Sequence, residues 1–126
     1  MNTKEYIKQA MVTSTAKYTE VADRLRDPKM INLLHATIGI NTESGELTDV
    51  IKKYAFYGKE IDEVNLKEEI GDLFWYIAVA CNALDISFED CMKTNIEKLR
   101  ARYGNSFSEE RALKRDLKTE RKILEE

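Results

Sequence analysis

Pro28 is the only proline in the chain, and downstream of it nothing forbids a long helix. Leu33, Ile40, Leu47, Ile51 and Tyr54 fall there on one stripe at about 100° per residue, which predicts a helix from about 29 to 56 that ends at Tyr57-Gly58-Lys59. Upstream, residues 3 to about 25 alternate apolar and polar positions at helical spacing, and Asp27-Pro28 breaks that pattern where proline suits a helix start. With one proline, five glycines, 43% hydrophobic and 34% charged residues in 126, the composition is that of an all-α, soluble globular chain. The length fits one domain, residues 1–126, with a core at about 30–104.

The second half repeats helix-start signals. Asn65 followed by Glu68 resembles a capping box and predicts a helix from about 66 to Leu84. Ser87 and Asp90 open the next, which ends at Tyr103-Gly104. Ser106 and Glu109 begin a charged C-terminal helix over about 107–126. Its apolar line, Leu113, Leu117 and Leu124, is too narrow to stabilise it alone, so it is expected to pack on a neighbouring element or another subunit. Five helices result, with no internal repeat.

Several function classes are disfavoured. The formal net charge is −3, and the C-terminal Lys and Arg residues alternate with Glu and Asp, so no field for a nucleic-acid polymer is expected. MNTKEYIKQAM lacks the apolar core of a signal peptide. The apolar run from Leu73 to Leu84 falls short of the roughly 20 residues that cross a bilayer. No membrane contact and a cytoplasmic location are the expectations. Cys81 and Cys91 lie on apolar helical faces without zinc-ligand spacing and read as reduced core thiols.

The chemistry lies in the acidic residues. Glu43 and Glu46 are three residues apart and share a helical face, as do Glu69 and Asp72 at the mouth of EEIGDLFWYIAVACNAL. The stretch between the pairs lets the two helices return antiparallel and set four carboxylates in one small volume. Two like charges about 4 Å apart repel by about 4 kcal/mol at an effective dielectric near 20. Such a cluster persists if protonated or if a hard divalent cation neutralises it, and oxygen-only donors suit Mg²⁺, with Mn²⁺ as a substitute. The same spacings also arise by chance on solvated helix faces of an acidic chain.

Asn95 shares a helix face with Phe88, Cys91, Met92 and Leu99, so its amide is expected to point inward and to need a partner, in a cleft or in the core. Lys98 and Arg102 follow on the flank of that face, and Lys52, Lys53 and Lys59 follow the first acidic pair. These cations suit a polyphosphate, or form ordinary surface ion pairs. Gly39, unfavourable inside a helix, lies near one line with His35 and Glu46. That line is either a groove where a flat ring rests on the backbone beside His35, or a close helix contact.

The runs HATIGINTESGELTDVIKKYAFYGK, NLKEEIGDLFWYIA and NIEKLRARYG resemble the MazG-like nucleoside triphosphate pyrophosphohydrolases, and the likeness extends over about residues 30–125. The resemblance implies a helical bundle of four to five helices that assembles as a homodimer or homotetramer. It further implies Mg²⁺-dependent hydrolysis of a nucleoside triphosphate between its α and β phosphates. Carried over residue by residue, Glu43, Glu46, Glu69 and Asp72 match the metal positions, with Glu46 and Glu69 as the catalytic carboxylates and Glu46 set to orient or deprotonate water. Asn95 and Lys98 match an NxxK near substrate, and His35, Lys53, Lys59 and Arg102 complete the expected substrate contacts. Trp75, opposite Leu73, Ile77 and Leu84, fits a helix covered on both sides. A non-catalytic nucleotide-binding bundle is the alternative; a di-iron carboxylate protein is disfavoured because no ExxH occurs.

Overall fold

The computed structural model describes residues 1–125, which form seven helices and, among the described residues, no strand. They are α1 (Thr3–Met11), α2 (Tyr18–Leu25), α3 (Pro28–Tyr57), α4 (Glu63–Leu84), α5 (Phe88–Tyr103), α6 (Glu109–Leu113) and α7 (Leu117–Glu125). Asp27 caps α3 by accepting from the Lys29 N–H at 2.9 Å, with Pro28 in the first helical position where a missing N–H is harmless. Gly58 ends α3 at φ 64°, a left-handed conformation that glycine adopts without a Cβ penalty. Ser87 caps α5 through the Asp90 N–H at 3.1 Å, and Tyr103-Gly104 ends it, as the start and stop signals predict.

Three boundaries differ from the sequence expectation. The first helical stretch is two helices, because Thr13 and Thr15 turn their hydroxyls to the backbone between them: Thr13 Oγ1 donates to the Ala10 carbonyl at 3.0 Å and Thr15 Oγ1 accepts from the Lys17 N–H at 3.2 Å. Helix α4 starts earlier, since the Asp62 carboxylate accepts from both Val64 and Asn65 N–H groups at 3.1 and 3.0 Å. Asn65 is therefore inside the first turn and its side chain is free for another use. The expected 107–126 helix is split, and its last residue lies outside the described ones. Ser108, not Ser106, caps α6, and Asp116 opens α7 by accepting from the Lys118 and Thr119 N–H groups at 3.2 and 3.1 Å.

Helices α3 and α4 form the main packed pair, and they run antiparallel, since Gly39 meets Tyr76 while Glu43 meets Glu69. A Cβ placed on Gly39 would fall among the ring carbons of Tyr76. The glycine inside α3 therefore serves close helix packing, and the flat ring lying on the backbone is the chain's own. Ala36, Val50 and Cys81 are the other buried small or branched residues. Beyond Asp85, itself left-handed at φ 56°, α5 leaves α4 at 100° and packs on α7 and α6.

What docks α7 is a carboxylate. Glu120 is 5% exposed and accepts two bonds from Arg102, at 2.8 and 2.6 Å, and two from Arg115, at 3.3 and 2.6 Å. Hydrogen bonds from these guanidinium groups hold its pKa down to about 2, against an ordinary 4.5. Arg102, expected among the substrate contacts, is thus taken up by an ion pair inside the C-terminal arm.

The described pairings leave much apolar surface uncovered. Ile31, Leu34 and Ile38 on α3, and Phe74 and Trp75 on α4, are exposed, the last two at 56% and 55%. The accessible surface is 10618 Å², whereas a compact monomer of 14.6 kDa exposes about 6900 Å². No single helix among the described residues is long and apolar enough to cross a membrane; α4 and α5 reach that length and composition only together, across their bend.

Because Glu120 titrates lower when folded than when unfolded, its stabilisation is complete above about pH 4.5, declines below that, and is lost as the pH falls through about 2. The Ile123 methyl NMR signals of α7 should move toward unfolded positions over that interval, and Glu120→Gln should show the undocked signals already at neutral pH.

Candidate metal centre

The α3–α4 contact sets the spacing of the acids. Two turns of α3 separate Gly39 from Glu46, and one turn of α4 separates Asp72 from Tyr76, so seating the ring on the glycine places the two acidic segments opposite each other. Oxygens of Glu43, Glu69 and Asp72 come within 4.8 Å of one another. Glu69 is 4% exposed, Glu43 half-buried and Asp72 exposed, so the trio opens to solvent on one side. Glu46 stands outside the trio but close enough for its charge to act on Glu43. Of the four acids grouped by spacing, three converge and the fourth flanks them.

The electrostatics are those of carboxylates crowded together. Burial pushes the Glu43 carboxyl above its usual range; a hydrogen bond shared with Glu69 and the charges of Glu46 and Glu69 add to this, against the Thr42 hydroxyl 3.2 Å from its Oε1. The two best-buried acids of the chain are compensated differently. Glu120 has two arginines, whereas Glu69 has a neutral donor, the Asn65 amide, at 2.7 Å to Oε1. The donor set would fit a hard divalent ion, since Glu43, Glu69 and Asp72 each offer a carboxylate oxygen and these lie within 4.8 Å of one another.

Next to the trio, at the α3–α4 turn, Val50, Lys53, Lys59, Glu60, Asp62 and Asn65 line a cleft of about 250 Å³. Lys53 contacts Asp49 at 2.6 Å, and Lys52 pairs with the same carboxylate, whose pKa they lower to about 2. Lys59 has no ion pair among the described residues. The cleft thus brings Lys59, unpaired among the described residues, and Lys53, paired with Asp49, to the edge of the carboxylate trio.

His35 stands edge-on to Trp75 and Tyr76, with ring centroids 6.1 and 5.6 Å apart. This aromatic group lies along the α3–α4 contact on the far side of Gly39 from Glu43. Asn95 and Lys98 are elsewhere. Asn95 is exposed in a cleft of about 540 Å³ beside Ile86, Cys91 and α7's Leu124, and Lys98 is half-buried farther along α5. The amide expected to point inward is open because α5 does not fold back over α3 and α4. For the same reason Cys91 is exposed, contrary to expectation, while Cys81 is buried; both thiols are free. Sequence reasoning missed Asn65 as a partner of Glu69, although their four-residue spacing on one helix was a usable signal.

Residues 32–107 match the family described as the MazG nucleotide pyrophosphohydrolase domain. The chain is also 29% identical over 103 residues to the Gene 37 protein of Mycobacterium phage L5, an alignment spanning 76% of this chain and 85% of the phage protein. No solved structure matches.

Glu69→Gln keeps an acceptor for Asn65 but removes a charge from the trio. It should fold as well as or better than the parent, and should lose more Mn²⁺ affinity than the roughly 10- to 100-fold that outer-shell changes cost. Calorimetric Mn²⁺ titration beside thermal melts measures both, and an unfolded variant would make Glu69 a structural carboxylate.

Proposed function

Because the chain belongs to the MazG nucleotide pyrophosphohydrolase family, we propose that it hydrolyses a nucleoside triphosphate, ribo or deoxy, at the α–β anhydride to give a monophosphate and pyrophosphate. The observation that carries this is the convergence of Glu43, Glu69 and Asp72 beside a cleft that holds Lys53 and Lys59. Glu43, Glu69 and Asp72 would hold Mg²⁺ or Mn²⁺. When bound, that ion neutralises phosphate oxygens and lowers the pKa of water. Lys53 and Lys59 receive the β and γ phosphates, which become the leaving group, and His35 with Trp75 borders the base end. Glu46, outside the trio, accepts the proton of the attacking water through its carboxylate. The water oxygen bonds to the α phosphorus, the α–β anhydride bond breaks, and pyrophosphate leaves.

Pyrophosphate and monophosphate, separated by ion exchange, should form from NTPs or dNTPs with Mg²⁺ and stop on chelation. Diphosphate with orthophosphate would overturn the regiochemistry, and nucleotide binding without any turnover would favour a regulatory binding bundle.

The working unit in this reading is a homodimer or homotetramer. Its supports are the surface, about half as large again as that of a compact monomer, and the exposed apolar faces of α3 and α4. A further support is that Asn95 and Lys98, expected near substrate, sit on a helix turned away from its own acids. The site is then completed by α5 of a second copy. Mixed Glu69→Gln and Lys98→Ala proteins, each inactive or weakened about 10- to 1000-fold alone, should recover activity together, since mixed assemblies contain an intact site. A 14.6 kDa species in sedimentation at micromolar concentration would contradict this assembly.

A further inference from the structure

The amide of Asn65 stands between the two halves of the site. Its Nδ2 donates to Glu69 Oε1 at 2.7 Å, and its residue lines the cleft that contains Lys53 and Lys59. Glu69, at 4% exposure, has no ion pair among the described residues and shares its space with Glu43. A buried carboxylate free to rotate about its last bond would turn either oxygen toward whatever donor offered itself. Asn65 removes that freedom. Its own position is fixed because the Asp62 cap accepts from the Asn65 backbone N–H at 3.0 Å, and four-residue spacing on α4 carries the amide to Glu69.

Resting on the metal reading above, we infer that Asn65 is the positioning residue of the carboxylate trio: it occupies one oxygen of Glu69 so that the other is presented toward Glu43 and Asp72. It does this from the wall of the lysine cleft. An outer-shell donor that fixes a ligand's orientation is worth about 10- to 100-fold in metal affinity, and neutral asparagine does so without a cation that would compete for the carboxylate. Aspartate or glutamate in its place would add a charge to an already crowded site. Lysine would neutralise Glu69 and leave less for a divalent ion to do.

The test is Mn²⁺ binding to nucleotide-free protein, followed by electron paramagnetic resonance, for the parent, Asn65→Ala and Asn65→Gln. The alanine variant should bind Mn²⁺ about 10- to 100-fold more weakly. The glutamine variant, which retains an amide donor, should recover part of the loss. A merely structural asparagine would shift melting temperature and leave Mn²⁺ affinity unchanged. Equal affinity in parent and Asn65→Ala overturns the inference, and so does equal weakening in the alanine and glutamine variants. Should the parent bind no Mn²⁺ at all, the metal reading falls and the inference with it.

Discussion

Everything in the α3–α4 half of the molecule depends on the seat of the Tyr76 ring on Gly39. Helix–helix distances are set by the side chains at the crossing, and a missing Cβ lets a ring lie directly on the neighbouring backbone. Glycine inside a helix costs about 1 kcal/mol relative to alanine, and here that cost is offset by a contact no other residue permits. The contact lies about a turn from Glu43 on one helix and a turn from Asp72 on the other. A looser crossing would move the carboxylates apart and ease their repulsion, so the packing that stabilises the pair also maintains its electrostatic strain. The carboxylate cluster is assembled by apolar packing against the preference of its own charges.

Much of this was legible in the chain. The stripe from Leu33 to Tyr54 and the stops at Pro28 and Gly58 give α3 almost residue by residue, because capping and periodicity are local. The acidic spacings give two pairs for the same reason, although all four acids were expected together and Glu46 stands outside the trio; Gly39 announces an irregularity whose cause, a ring from α4, lies in another helix. What was not legible depends on relations between distant elements. Arg102 reads as a free cation beside Asn95 and Lys98, and only the docking of α7 brings Glu120 to it. Asn95 and Cys91 read as inward-facing because their helix has an apolar face, and an apolar face does not say which element covers it. Asn65 reads as a cap because Glu68 follows it at capping-box spacing, yet Asp62, three residues earlier, is the residue that caps α4.

The two buried carboxylates illustrate different ways to keep a charge away from water. Glu120 is surrounded by guanidinium donors, is ionised over the whole physiological range, and closes a structural joint. Glu69 has a neutral amide and two acidic neighbours, so its environment is incomplete in proportion to its burial. In one chain the first arrangement stores stability and the second stores charge repulsion.

The 100° bend between α4 and α5 makes the C-terminal part of the chain a lever. Its 16-residue helix α5 is about 24 Å long, and the Glu120 clasp ties α7 to it. A rotation of about 10° at the elbow carries the far end of α5 through about 4 Å, more than the length of a hydrogen bond. The reach of Asn95 and Lys98 is therefore governed less by their own surroundings than by the few residues from Leu84 to Phe88. Substitutions at this elbow, twelve or more residues along the chain from Asp72, would retune where those two side chains arrive.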